Sequence, residues 1–228
     1  MKVPSNKKIT KAKELAYAAL RVFTCKGYAA TSIEMIAAEA GIGKSTVYEY
    51  FNTKQELFVA AIMAGADEWI AGLKDVGRKT RDPIERLHLI VARYLDKKNP
   101  EATPEARLFI EVISQTFLQG GVFHDRPYLI RGIHERIVKV VVDYLLAGVS
   151  RGELNPAIAR NTEKIAINFL AFLDGIHMHS LIEPGYIDLR EQVNLFMTHM
   201  TFLMKPITDD RHSNKTRHRS IRGIQANG

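Results

Sequence analysis

The sequence predicts an all-α protein, and three observations carry that prediction. Apolar residues recur at spacings of three and four through most of the 228 residues, no stretch alternates apolar and polar residues long enough to be a strand, and glycine and proline breakers separate the periodic runs. The first helix is expected over residues 8–26. There Ile9, Ala12, Ala16, Ala19, Leu20 and Phe23 fall on one face, and Gly27 follows as a C-cap. Thr31 with Glu34 three residues later has capping-box spacing and opens a helix from Ser32 to Ala40, with Gly41 as the turn. A short helix follows over 44–50. Thr53 with Glu56 is a second capping box, starting a longer helix that carries Leu57, Phe58, Ala61, Ile62, Trp69 and Leu73. Beyond Gly77 five more helices are expected, over 83–98, 104–119, 127–150, 157–182 and 189–204. They are separated by Asp82-Pro83, Asn99-Pro100, Gly120-Gly121, the stretch from Gly152 to Pro156, and Pro184-Gly185. That makes about nine helices in total. From Ile207 the periodicity stops and the chain turns polar and basic.

Hydrophobic residues at 46% and charged residues at 25% are the balance of a globular chain, which excludes a disordered or fibrous one. The single cysteine, Cys25, rules out an internal disulfide framework, and no Cys/His cluster has zinc-finger spacing. A reducing compartment, the cytoplasm, is therefore expected. No apolar run is read as the roughly 20 residues that cross a bilayer. The stretch from Met1 to Lys8 lacks the apolar segment of a signal peptide, so neither membrane nor export is expected. The net charge of +7 is uneven. Residues 1–54 hold nine Lys/Arg against four acids and residues 205–228 hold six against two, leaving 17 bases and 19 acids between them. Basic ends are either solvated faces or a footprint for a polyanion.

Residues 33–50 decide between those readings. Ala37 permits close approach of a second helix, Gly41 takes the turn's positive φ, and Ile36, Ala40, Ile42 and Val47 supply a shared core, which is the pattern of a helix-turn-helix. Outward on the second helix remain Lys44, Ser45, Thr46, Tyr48 and Glu49. A cation, short hydroxyls and a phenol suit phosphates and base edges in a major groove.

The chain here resembles the tetracycline-repressor (TetR) family. The resemblance runs from Ile9 to about Leu57, through Phe23-x-x-Lys26-Gly27-Tyr28-x-x-Thr31-Ser32, then Ile36-Ala37-x-x-Ala40-Gly41-Ile42-x-Lys44-x-Thr46-x-Tyr48-x-Tyr50-Phe51 and x-x-Lys54-x-x-Leu57. It implies a DNA-binding regulator. Thr31, Ser32, Lys44, Thr46, Tyr48 and Lys54 match the family's DNA-facing positions, and Ser45, Glu49 and Tyr50 are added to them. Gly43 departs from the family's usual capping serine. Glu49 also departs, and as an acceptor for a cytosine amino group it would bear on operator choice. Three parts are expected: a helix-turn-helix domain over 1–54, an effector-binding and dimerisation domain over 55–205, and a flexible basic tail over 206–228.

By the same resemblance the C-terminal helices bind a small hydrophobic effector and form a homodimer. Phe109, Ile113, Phe117, Phe123, Phe169, Phe172 and His177 are the expected pocket lining. The last two helices carry long apolar faces, and Leu173, Ile176, Val193, Phe196, Met197 and Met200 are the expected interface, paired with their symmetry mates as a four-helix bundle. No cofactor or metal is expected, because His177 and His179 lie two apart on a helix and point about 200° from each other. An enzyme using His177 or His124 with Asp174 or Asp125 lacks any recognisable catalytic motif. The expected partners are a palindromic operator, a hydrophobic effector and a second copy of the chain, with repression inferred from the family.

Overall fold

A computed structural model describes residues 6–95, 104–182 and 185–206. The helices are α1 (Asn6–Ala30), α2 (Ile33–Glu39), α3 (Lys44–Tyr48), α4 (Lys54–Lys79), α5 (Pro83–Leu95), α6 (Pro104–Phe117), α7 (Pro127–Ser150), α8 (Thr162–Ile182) and α9 (Leu189–Met204). No strand occurs among the described residues. The expected end of α5 at residue 98, the Asn99-Pro100 break and all but the first residue of the expected tail lie outside the described residues.

Local chemistry sets most boundaries where the periodicity placed them. Gly27 interrupts α1 with φ 77° and ψ 167°, leaving one short turn beyond it. The cap of α2 is displaced by one residue from the expected Thr31: Ser32 adopts the extended cap conformation and its hydroxyl accepts from the Met35 amide. Thr31 instead donates its hydroxyl to the Gly27 carbonyl at 2.6 Å, satisfying an end carbonyl of α1. Thr53 caps α4 as expected, with the Glu56 amide donating to its hydroxyl at 3.0 Å. Glu56 reaches back to the Asn52 amide. The helix expected over 157–182 is divided: Pro156–Asn161 forms a 3-10 helix, seeded where the Asn155 side chain accepts from the Ala157 amide, and only then does α8 begin.

The helices enclose two cores. The first gathers Leu15, Ala19 and Phe23 of α1, Ile33, Ile36 and Ala37 of α2, Val47 of α3, and Leu57, Phe58, Ala61 and Ile62 of α4. Leu108, Val112, Val122 and Phe123 close it. Three helices within roughly 50 residues expose too much of their surface to sustain a core alone, so this one extends past residue 54 into α4 and α6. The second core joins Ile70, Leu73 and Val76 of α4 to α5, α7, α8 and α9. Helix α4 thus belongs to both.

The far end of α4 is tied down by polar groups. The Tyr144 hydroxyl donates to the Leu73 carbonyl at 2.6 Å and accepts from the Gly77 amide at 3.0 Å. Arg86, nearly buried, lies over the Tyr144 ring and donates to the carbonyls of Thr80 and Gly77. Burial pushes the Tyr144 phenol above its ordinary pKa. Tyr144→Phe, which removes the hydroxyl that bonds both α4 groups, is expected to cost about 0.5–1.5 kcal/mol of unfolding free energy in chemical denaturation, with an unchanged denaturant slope.

Pro156–Ile182 is the one stretch among the described residues that passes for a membrane span by length and composition, with a mean hydropathy of 1.4 and 28% of its best window buried in the single chain. Its inner face packs through Ala166, Phe169, Leu170 and Leu173 into the second core, while Ile167, Met178 and Ile182 lie exposed. A helix apolar on both sides needs a cover on each.

Candidate nucleic-acid interface

Helices α2 and α3 cross over buried Ile36, Ala37 and Val47, with Gly41 at φ 64° turning the chain and the Ile42 amide donating to the Ala37 carbonyl at 3.0 Å. Gly43 stands at the N-cap of α3 without a side-chain bond, as its lack of a hydroxyl requires. This geometry turns Lys44, Ser45, Tyr48 and Glu49 to the surface, with Thr46 half-buried among them.

Lys44 is already paired in the free protein. Its ammonium donates to the Glu34 carboxylate across the turn and lies 6.0 Å from the Tyr48 ring centre. The hydrogen bond from Lys44, helped by the Glu34 backbone amide and the Ser32 hydroxyl, lowers the Glu34 carboxyl to about 2. Glu34 therefore stays ionised through the physiological range and competes with any phosphate for Lys44. Both groups are exposed, so Glu34→Gln is expected to tighten DNA binding roughly two- to fivefold at low salt, with the gain shrinking as salt rises. A filter-binding titration at two ionic strengths checks this.

The other residues expected to face DNA make bonds or contacts within the chain. Thr31 is 3% exposed and committed to Gly27. Ser32 caps α2. Lys54 points back into the fold: it donates to the carbonyls of Tyr28 at 2.9 Å and Thr31 at 3.0 Å, over the Tyr28 ring. The helix-end carbonyls of α1 outbid solvent for that ammonium. Tyr50 is half-buried against the first core with the Lys8 ammonium 5.9 Å from its ring centre. In this conformation Thr31, Ser32 and Lys54 position the reading helices.

Beside the end of α3 lies an open crevice of about 770 Å³, lined by Lys7, Lys8, Thr10, Lys11 and Glu14 of α1 with Glu49 and Tyr50. The N-terminal lysines were not among the expected site residues. The signal for them was the basic excess of residues 1–54.

The seven residues expected to line an effector pocket are not gathered round one space. Phe109 and Phe117 lie exposed on α6, Phe117 at 76%, with Ile113 half-buried between them. Phe123 is fully buried 5.7 Å from Phe58 in the first core. The turn after α6 puts it there: the Val122 and Phe123 amides bond back to Gln115, and Gly121 sits where a Cβ would meet the Gln115 carbonyl oxygen at 2.2 Å. Phe169 is buried in the second core, His177 is buried on α8, and Phe172 stacks on Phe196 at 3.8 Å. A smaller crevice of about 350 Å³ between α7 and α8, lined by Arg131, His134, Lys139, Glu163 and Ile167 among others, includes none of the seven.

The expected dimer residues divide likewise. Leu173, Val193 and Met197 are buried within one chain, so a second copy cannot reach them, while Ile176, Phe196 and Met200 are half-buried. The large exposed apolar residues of α8 and α9 are Ile167, Met178, Ile182, Leu195, Phe202 and Leu203.

Two family models match the chain: bacterial regulatory proteins of the tetR family over residues 16–61, and the tetracyclin repressor-like C-terminal domain over residues 90–184. The chain belongs to the tetR family. It is accordingly a helix-turn-helix DNA-binding transcriptional regulator and not an enzyme. Among curated relatives, it is 34% identical over 83 residues to the HTH-type transcriptional activator FasR of Mycolicibacterium smegmatis, a match to 36% of this chain and 38% of that one. It is 26% identical over 180 residues to the uncharacterised HTH-type regulator YfiR of Bacillus subtilis, covering 79% and 84% of the two. Its fold is that of a TetR transcription regulator from Haloarcula marismortui (TM-score 0.67, 23% identity, 86% of this chain and 99% of that one). The same fold is seen in FadR of Bacillus subtilis in complex with stearoyl-CoA (TM-score 0.58, 15% identity, 82% and 96%).

Proposed function

We propose that this tetR-family chain acts in the cytoplasm as a homodimer that represses transcription by gripping a palindromic operator and leaves it when a small hydrophobic effector binds. The observation that carries the DNA side of the reading is the outward set on α3, Lys44, Ser45, Tyr48 and Glu49 with Thr46, held on the buried Val47. Lys44 and the hydroxyls meet phosphates, Glu49 meets base edges, and Lys7, Lys8 and Lys11 extend the positive surface along the backbone. Thr31, Ser32, Tyr50 and Lys54 support this set from behind.

The dimer reading rests on the exposed apolar face of α8 and α9. Met178 and Ile182 lie one turn apart on α8, and Leu195 and Phe202 lie two turns apart on α9, so each helix presents a stripe that a symmetry mate can cover. The interface therefore shifts outward from Leu173, Val193 and Met197 to these residues. Covering the stripes also accounts for the outer apolar side of Pro156–Ile182 without a membrane. In this reading the pair presents its two recognition helices to successive major grooves, which lie about 34–36 Å apart, one turn of DNA.

The effector reading rests on the apolar residues of α6 and on the FadR complex, in which a fold of this kind holds an acyl-CoA. A hydrophobic ligand that prefers a different placement of α4 and α6 weakens operator binding by the factor that the operator weakens ligand binding. The reading needs no cofactor.

Selection from a pool of random duplexes tests the proposal. Enrichment of an inverted repeat with half-sites about 10 base pairs apart, or a multiple of it, is the expected result. A consensus without two-fold symmetry would count against the dimer, and no consensus at all would count against sequence-specific reading.

A further inference from the structure

We infer that Glu111 on α6 is the positioning residue through which the C-terminal helices hold the DNA-reading helices in register. The inference rests on the operator-binding reading above.

The segment from Gly27 to Ser32 joins α1 to α2 and sets where α2, and with it α3, begins. At Gly27 the backbone leaves the helical path, so the amide of Tyr28 is turned away from the α1 hydrogen-bond ladder. Both carboxylate oxygens of Glu111 accept that amide, Oε1 at 2.8 Å and Oε2 at 2.9 Å, from 83 residues along the chain. A Cβ at residue 27 would come within 3.3 Å of Oε2, so glycine serves both the turn and the approach of the carboxylate. The proximity also registers on the Tyr28 phenol, whose pKa is raised by burial and then by the Glu111 charge.

The carbonyls of the same connector are held from another side. Lys54 on α4 takes the carbonyls of Tyr28 and Thr31. The connector is therefore clasped by its amide to α6 and by its carbonyls to α4. On either side of Glu111, Leu108 and Val112 plug α6 into the first core, while Phe109 and Phe117 lie exposed on the same helix. Helix displacements of about 1–2 Å are ordinary in switching proteins, and such a shift of α6 would take both oxygens out of hydrogen-bonding range. A ligand contacting α6 thus acts on the connector without touching DNA or α3.

Hydrogen–deuterium exchange at the Tyr28 amide, read alongside operator affinity on the full-length dimer, tests this. In Glu111→Ala the amide is expected to exchange at least about tenfold faster and the operator to bind roughly ten- to a hundredfold more weakly, the range for losing a charge-assisted bond. Glu111→Gln, which keeps an acceptor oxygen, should fall between wild type and Ala and serves if the Ala variant does not fold. Operator DNA should further slow Tyr28 exchange in the wild type and should fail to do so in Glu111→Ala, a readout that a merely stabilising residue would not move. Lys44→Ala should weaken operator binding while leaving Tyr28 exchange in the free protein unchanged. The inference is overturned if the Glu111 variants bind the operator as tightly as wild type, or if Tyr28 exchange is indifferent to Glu111. Absence of specific binding by the wild type would instead remove the operator reading itself.

Discussion

Phe58→Ala is expected to lower the unfolding free energy by about 3–5 kcal/mol, the cost of truncating a phenylalanine in a core that cannot collapse to fill the space. Phe58 is fully buried on α4 and meets rings from three other places: Phe23 of α1 at 4.8 Å, Tyr28 of the connector at 4.7 Å and Phe123 after α6 at 5.7 Å. These partners belong to different elements that are themselves anchored elsewhere, so their relaxation into the gap is limited. A loss of that size is a large part of the roughly 5–15 kcal/mol by which domains are stable. Chemical denaturation measures it, and a cost below about 1 kcal/mol would mean that the four rings do not form the joint described.

The second large effect falls on assembly and leaves folding of the single chain intact. Leu195→Glu combined with Phe202→Glu places two charges on the outer stripe of α9, where the native side chains are 54% and 79% exposed in the single chain. Neither change opens a cavity within the protomer, so its helical content should be retained. Across a two-fold axis each carboxylate would be buried without a partner or set against its own copy. Sedimentation should then report a monomer, and operator affinity should fall by roughly 10²–10⁴, the gain normally supplied when a second half-site is engaged by a linked module. A variant that stays dimeric would move the interface off this face.

How much of this was legible in the sequence depends on whether the information is local. Helix positions followed from periodicity and from breakers such as Gly27, Gly41 and Pro127, because a positive φ or a missing amide acts within one turn. The outward face of α3 followed for the same reason. The α2 cap fell one residue off, since Thr31 and Ser32 are both good caps and only the tertiary demand of the Gly27 carbonyl separates them. Lys54 is expected from the resemblance to face DNA, yet in the free chain carbonyls 23 and 26 residues away hold it.

The larger domain was less legible. Helix α8 is apolar nearly all round, so its pattern carries no phase to tell the inner Leu173 from the outer Met178. Phe123 has the composition of a pocket residue, and only the fold-back onto Gln115 sends it to the first core. Glu111 is one glutamate among ordinary helical residues, and its partner is the amide of a residue 83 positions away.

The central claim, sequence-specific DNA reading by α3, is tested most directly by binding of the purified protein to DNA from upstream of its own gene, in raised salt with excess competitor. Wild type is to be compared with Lys44→Ala and Tyr48→Phe. The account predicts retention with a dissociation constant of about 10⁻⁸ to 10⁻¹¹ M, weakened by both substitutions. Equally weak binding to every sequence, indifferent to both, would contradict it.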